Sequence, residues 1–269
     1  MSIMKKLREY LNRPLSFVMF LLIIISTVIT ALTVVFIIGY IFIKGVPNLS
    51  LDLFSLKYSS SNQSMLPSII NTVYLTALTL LLSVPIGIFS AIYLAEYSRK
   101  NSFFVKIINI ANETLSGIPS IVYGLFGFLA FVISKKWGYS LLAGVITLAI
   151  MVLPLIIRTS QEAMLGVDNT FREASYGLGA GKLRTVFKIV LPSAMPGILS
   201  GIILAIGRIV GETAALIYTA GTVPEAATKL TSSSRTISVH LYCLLNEGLY
   251  TEQAYATAAV SYTHLTLPT

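Results

Sequence analysis

Charged residues are scarce in this chain. Only 11% of its 269 residues are Asp, Glu, Lys or Arg, whereas 55% are hydrophobic, and the mean hydropathy is +0.81. Because soluble domains carry about a quarter charged residues, this composition excludes cytosolic enzymes and freely diffusing nucleic-acid-binding proteins. We therefore interpret the net charge of +8 as a distribution of Lys and Arg among membrane loops.

Cysteine and catalytic motifs are also scarce. Cys243 is the only cysteine, which excludes an internal disulfide and a cysteine-rich metal site. His240 and His264 show no metal-ligand spacing. A phosphate-binding Walker loop would need Gly where Tyr176 stands and Ser or Thr where Leu183 stands. The chain contains no assembled catalytic set, so an enzyme is disfavoured and no cofactor or metal is expected.

Long apolar runs are abundant. A spanning helix needs about 20 mostly apolar residues, because each residue rises about 1.5 Å through a core of about 30 Å. The runs are continuous rather than alternating, which disfavours a β-barrel. The predicted fold is an all-α integral membrane protein, a polytopic helical bundle. The predicted spans are 15–43, 68–95, 114–134, 140–157 and 194–220.

Basic residues fall mainly on one side of these spans. Twelve lie on the side of the N-terminus and six on the other, so the positive-inside rule predicts a cytoplasmic N-terminus, residues 1–14. The first apolar run is too long for a secretory signal and is predicted to be a retained anchor. The twelve are Lys5, Lys6, Arg8, Arg13, Arg99, Lys100, Lys106, Arg158, Arg172, Lys182, Arg184 and Lys188.

The C-terminal part of the chain departs from the pattern of long spans. A sixth apolar segment begins at Ala254 but gives way to polar residues after Val260. We predict a transmembrane domain over 15–260, with five full spans and the start of a sixth, followed by a non-native tail over 261–269. The alternative is a five-span protein with a native polar tail.

The long inner loop 158–193 contains a spaced motif. Phe171, Ala174 and Leu178 recur at helical spacing, which predicts a short amphipathic helix. The motif resembles the EAA motif of membrane subunits of bacterial ABC importers, with Ser175 where Ala is usual. The resemblance implies a coupling helix that contacts a separate cytoplasmic ATPase. The matching residues are Glu173, Ala174, Ser175, Gly179, Ile189, Leu191 and Pro192.

Two further segments narrow the resemblance. Residues 113–127 and 205–216 are similar to the permeases of the high-affinity phosphate importer, and 142–159 is similar to the PstA type rather than the PstC type. The resemblance implies a MetI-like fold of six spans in the bacterial inner membrane, and inward phosphate transport. It also implies a PstC-type sister permease, two ATPase subunits, an extracytoplasmic phosphate-binding protein and surrounding lipid as partners, but no nucleic acid. The alternatives are a permease for another oxyanion or for amino acids, and a membrane scaffold.

Arg208 lies inside the fifth predicted span. If Ser193 caps the helix, Arg208 follows by about 15 residues, or about 22 Å. A charge at that depth costs at least about 2.5–3.5 kcal/mol, and Glu212, one turn later, is the predicted partner. The resemblance implies that the substrate pathway contains Arg208, Glu212 and Thr213. A purely structural pair of Arg208 with Glu212 is the alternative.

Overall fold

The computed structural model describes residues 14–98 and 102–266. The predicted cytoplasmic segment before Pro14, the basic residues Arg99 and Lys100, and the last three residues of the predicted tail lie outside the described residues. The described chain is helical, as predicted. Its helices are α1 (Pro14–Gly45), α2 (Leu66–Ile92), α3 (Phe103–Gly117), α4 (Ser120–Gly127), α5 (Leu141–Leu165), α6 (Asn169–Gly177), α7 (Lys182–Thr185), α8 (Leu191–Gly211), α9 (Ala214–Thr219), α10 (Ile237–Glu247) and α11 (Thr251–Thr266).

Turns of π-helix lengthen several of these helices. One extends α2 over Tyr93–Tyr97, a second extends α4 over Phe128–Ser134, and a third joins α7 to α8 over Val186–Val190. The last of these ends two residues before Pro192, which has no N–H to donate back along the helix. Wider turns of this kind occur frequently at functional sites.

Three of the five predicted spans are single helices long enough to cross a bilayer. They are Leu15–Asn48, Leu66–Tyr97 and Leu141–Leu165. The predicted span 114–134 is wrong as a single helix, because Val105–Gly117 and Ser120–Ser134 meet at 100°. Ile118 is forced into extended backbone by the proline that follows it.

The predicted span 194–220 is wrong at both ends. A continuous helix runs over Lys182–Gly211, so Ser193 is not an N-cap, and its hydroxyl donates to the Ile189 carbonyl at 2.7 Å. The chain turns extended at Glu212, where ψ is 129°. The inner loop is also shorter than the predicted 158–193, because α5 continues to Leu165.

The core surrounds α5. This helix packs against α2 on one side and α8 on the other, and its residues Leu148, Met151 and Ile156 are fully buried. Gly201 lets α8 approach closely, because a Cβ there would overlap Thr159 of α5. Small residues at helix crossings are the usual means of close packing in membranes.

The N-terminal helix α1 stands apart from this core and packs against α11. Its most apolar stretch buries none of its residues within the chain. The two helices cross where Tyr40 meets Tyr255 edge-to-face at 5.8 Å. Helix α11 continues unbroken past Val260, where the tail was predicted to begin. The division of the chain at that residue stays a prediction.

The connections at the end of the bundle opposite α6 are held by a buried amide. Asn71 of α2 donates to the Glu225 and Arg235 carbonyls at 2.9 and 3.2 Å, and accepts from the Ala227 amide at 2.8 Å. The next residue, Thr72, accepts from the Ile237 amide at 2.9 Å. The segment 221–236 is thus tied directly to the start of α2.

A buried aromatic cluster closes the same end. The Arg235 guanidinium lies over the Tyr58 ring at 4.8 Å, and Tyr58 also meets His240 edge-to-face at 6.4 Å. His240 is fully buried. Burial, and then the charge of Arg235, lower the pKa of His240 to about 3, so its ring is neutral throughout the physiological pH range.

The buried neutral His240 makes the fold acid-sensitive. The pKa of His240 in the folded protein is below the ordinary value of 6.5. The stabilisation that comes from the neutral ring is therefore complete above pH 6.5. It declines as the pH falls, because His240 takes up a proton in the unfolded chain but not in the folded one. Between pH 7.5 and pH 5 the loss is about 2 kcal/mol. His240→Phe should therefore show a smaller drop in melting temperature over that range. Equal drops in wild type and His240→Phe would contradict the assignment.

Candidate functional site

The break between α3 and α4 lies in one of the two segments that resemble phosphate permeases. Ile118 and Pro119 are both extended, so the carbonyls that end α3 lose their helical partners. The Tyr123 hydroxyl of α4 reaches back and donates to the Leu115 carbonyl at 2.7 Å. Tyr123 is itself buried, so the bend is fixed by a hydrogen bond shielded from competing water.

The second break, between α8 and α9, lies in the other segment. The Glu212 carboxylate accepts from the Ala215 amide at 3.0 Å and so caps the start of α9. The Ser238 hydroxyl of α10 donates to the Val210 carbonyl at 2.6 Å. One orphan backbone group on each side of the break therefore has a side-chain partner.

The two broken helices pack against each other. Helix α4 lies along α9, and a Cβ on Gly124 would stand 2.8 Å from the Ala215 Cα, closer than real atoms approach. A Cβ on Gly127 would likewise overlap Thr147 and Thr219. Far apart in sequence, the two segments form one structural unit through glycine contacts.

Arg208 lies on α8, one turn before the second break, and is half-buried. It lines a groove of about 730 Å³ between α5 and α8, together with Thr159, Glu162 and Ser200. Within residues 14–98 and 102–266, its side chain makes no hydrogen bond or ion pair with the protein. The guanidinium therefore has donors available on the groove side.

The predicted pairing of Arg208 with Glu212 is wrong. Ion pairs among the described residues are Arg158 with Glu162 and Arg172 with Glu96. The helix ends at Gly211, so Glu212 no longer follows Arg208 on the same helical face. Glu212 is buried as a cap, and the hydroxyl of Thr213 makes only a long contact of 3.5 Å with the Gly211 carbonyl.

The spaced motif forms the predicted short helix, α6. Asp168 begins it by accepting from the Thr170 amide at 2.9 Å, and this bond, with a second from the Thr170 hydroxyl, lowers the pKa of the Asp168 carboxyl. Phe171, Ala174 and Leu178 share an exposed face, and Leu178 is 89% exposed. Helix α6 thus presents apolar side chains outward.

The small residues of the motif hold α6 in place. Ser175 is buried and shares a 2.8 Å hydrogen bond with the Thr185 hydroxyl of α7, a bond that the usual Ala cannot make. Gly179 has φ +81°, a conformation that favours glycine, and it turns the chain from α6 towards α7. Glu173 is exposed. Ile189, Leu191 and Pro192 lie further along, at the start of the long helix.

Two contacts to α6 and α7 were not predicted from the sequence. Arg172 forms a buried ion pair with Glu96 at 2.7 Å, and the Lys182 ammonium lies over the Tyr97 ring at 4.9 Å. Glu96 and Tyr97 belong to the π turn that ends α2. A sequence signal exists, since Glu96 directly follows an uncharged span, but its partner lies 76 residues away.

Comparison with known proteins agrees with this geometry. The family model of binding-protein-dependent transport system inner membrane components matches residues 83–266. This chain is a member of that family. It is therefore a permease subunit of an ABC importer, a transport component whose ATP is hydrolysed by separate subunits.

Individual relatives agree with the family. The permease is 35% identical over 218 residues to the phosphate transport system permease protein PstA of Haemophilus influenzae, covering 80% of this chain and 77% of that protein. It is 33% identical over 226 residues to the probable ABC transporter permease protein YqgI of Bacillus subtilis, with coverages of 78% and 76%. In fold it is similar to a chain of a bacterial ABC transporter that imports alginate (TM-score 0.64, 17% identity, coverages of 98% and 96%).

The contact between α4 and α9 can be tested by a single methyl group. Gly124→Ala places a Cβ against the Ala215 backbone and should destabilise the permease by about 1–3 kcal/mol, as overpacking does. The measurement is the melting temperature of the purified complex. Gly117→Ala is the matched control, because nothing lies within 4 Å of that position. Equal melting temperatures for the two variants would contradict the packing.

Proposed function

We propose that this permease translocates inorganic phosphate inward. The observation that carries the proposal is the half-buried Arg208, which lines a groove and makes no hydrogen bond or ion pair with any described residue. An arginine within a membrane-spanning helix is costly unless it meets a partner or a polar cavity. A planar guanidinium is well suited to an oxyanion, which it contacts through paired N–H donors.

Groups around Arg208 suit transient rather than tight binding. Glu162, whose carboxylate pairs with Arg158, and Ser200 also line the groove, while Glu212 and Thr213 lie at the adjacent break. A neighbouring carboxylate weakens anion binding by repulsion, so phosphate can leave as well as enter. We assign Arg208, Glu212 and Thr213 to the pathway, with Glu212 shaping the break rather than pairing with Arg208.

Relatives named PstA support phosphate as the substrate. The relative YqgI has no substrate in its name, and the similar alginate importer carries a polysaccharide. Transport of another oxyanion or of amino acids is the competing function. Competition of sulfate with radiolabelled phosphate distinguishes the oxyanions, because a phosphate pathway is unaffected by excess sulfate.

Substitutions at Arg208 test the pathway directly. Lysine keeps the charge but loses the planar fork, and glutamine loses both, so Arg208→Lys and Arg208→Gln should each reduce phosphate uptake tenfold or more. A hydrogen bond to a charged group contributes about 1.5–3 kcal/mol. The measurement is uptake by the reconstituted transporter, with Lys135→Gln, in the exposed turn at the other end of the bundle, as the control that also removes one positive charge.

The double variant Arg208→Gln, Glu212→Gln distinguishes a role of Arg208 in the substrate pathway from a role only as the structural partner of Glu212. Because Glu212 caps α9 and forms no ion pair with Arg208, Glu212→Gln should not rescue Arg208→Gln. Near-normal uptake by the double variant would show that Arg208 acts only as a structural partner and would refute the pathway role.

The exposed face of α6 fits an ATPase contact. Phe171, Ala174 and Leu178 form an apolar surface on a short helix that is anchored from behind by Ser175 and Arg172. Exposed apolar patches of this kind mark protein–protein contacts. We propose that α6 is the coupling helix, with Glu173 exposed at its middle, Gly179 in the turn that follows it, and Ile189, Leu191 and Pro192 leading into the membrane helix.

The remaining partners and the orientation complete the proposal. The excess of basic residues on the side of α6 favours a cytoplasmic N-terminus, which places α6 towards the ATPase. The permease then works with a PstC-type sister permease, two ATPase subunits and an extracytoplasmic phosphate-binding protein.

A bulky residue on the exposed face of α6 should block ATPase docking. Ala174→Trp is expected to remove the ATPase subunits during co-purification and to reduce transport at least tenfold, while the permease still inserts in the membrane. Lys135→Trp, in the exposed turn at the other end of the bundle, should retain both. Normal ATPase recovery with Ala174→Trp would exclude α6 as the coupling helix.

A further inference from the structure

We propose that the Glu96–Arg172 pair transmits movement of α6 to α2, and that α2 carries it to the segment 221–236 at the opposite end of the bundle. This inference rests on the proposed role of α6 as the coupling helix, but not on the identity of the substrate. Glu96 and Arg172 are then positioning residues for transport, neither of which contacts the transported molecule.

Arg172 is the point where three helices meet. Its Nε and Nη2 both donate to the Glu96 Oε1, at 3.1 and 2.7 Å. The same guanidinium donates to the Met164 and Val167 carbonyls, at 2.8 and 2.7 Å, at the end of α5. A displacement of α6 therefore acts on α2 and α5 through one rigid planar group.

Burial makes this connection stiff. The side chains of Arg172 and Glu96 are 13% and 6% exposed, whereas those of the Arg158–Glu162 pair are 61% and 64% exposed. Solvent and salt weaken an exposed pair far more than a buried one. Separating Glu96 from Arg172 would leave an uncompensated buried charge, so the two helices are constrained to move together.

Two further contacts lie near the Glu96–Arg172 pair. Tyr97 lies under the Lys182 ammonium of α7, and Ser175 joins α6 to Thr185 of α7. The π turn Tyr93–Tyr97 ends α2 where these partners lie. The end of α2 therefore contacts both α6, through Arg172, and α7, through Lys182.

The other end of α2 is attached as firmly. The helix and its π turn cover Leu66–Tyr97, which is 32 residues or about 48 Å. Near its start, Asn71 holds the Glu225 and Arg235 carbonyls, and Thr72 holds the Ile237 amide. Because α2 is hydrogen-bonded at both of its ends, a displacement of one end is transmitted along the helix to the other end of the bundle.

The experiment compares phosphate uptake with ATP hydrolysis in proteoliposomes that contain the whole transporter. Glu96→Gln should assemble and hydrolyse ATP, but the phosphate taken up per ATP hydrolysed should fall at least tenfold. Arg172→Lys should lower the ratio less, because it keeps the charge. Lys135→Gln, in the exposed turn at the other end of the bundle, should leave the ratio unchanged.

Other outcomes overturn the proposal. If both variants fail to assemble, or if uptake and hydrolysis fall in parallel with an unchanged ratio, the pair is only structural. This failure is distinguishable from failure of the proposed function. A wrong substrate would show as absent phosphate uptake in the wild type, and a wrong coupling helix as normal ATPase recovery with Ala174→Trp.

Discussion

Backbone hydrogen bonding is the constraint on which the site depends. A helix that breaks inside a bilayer leaves N–H and C=O groups that lipid cannot satisfy, so irregular backbone survives there only where protein or a water-filled cavity provides partners. Tyr123, Glu212 and Ser238 supply these partners at the two breaks. Without them, backbone groups at each break would be left without these partners inside the membrane.

The two breaks depend on each other. Gly124 and Gly127 allow α4 to lie against α9 and α5, and that packing buries the Tyr123 ring that fixes the first break. The hydrogen bonds at the breaks orient the short helices α4 and α9, and the glycines allow these two helices to pack closely. Arg208 is left on the open side of α8, facing a groove rather than a neighbour.

The sequence predicted what is local. Apolar length alone locates α1, α2 and α5, and the spacing of Phe171, Ala174 and Leu178 predicts α6 with its exposed face. The prediction from hydropathy failed at the two breaks. Residues 114–134 and 194–220 are apolar throughout most of their length, and hydropathy does not detect a bend. The predicted pairing of Arg208 with Glu212 failed for the same reason, because an i, i+4 pair presumes a continuous helix, and the helix ends at Gly211.

What the sequence could not predict is long-range pairing. Arg172 looks like one of many basic residues on the α6 side, and only the fold brings it to Glu96, 76 residues earlier. In the sequence, Asn71 is likewise one polar residue in an apolar run. In the structure it hydrogen-bonds to the backbone of Glu225 and Ala227, more than 150 positions later. Both residues belong to contacts of α2, so this helix links the ends of the bundle through polar side chains whose partners no local pattern reveals. A permease that must change shape needs such links, because apolar packing alone lets helices slide, whereas a buried hydrogen bond resists separation.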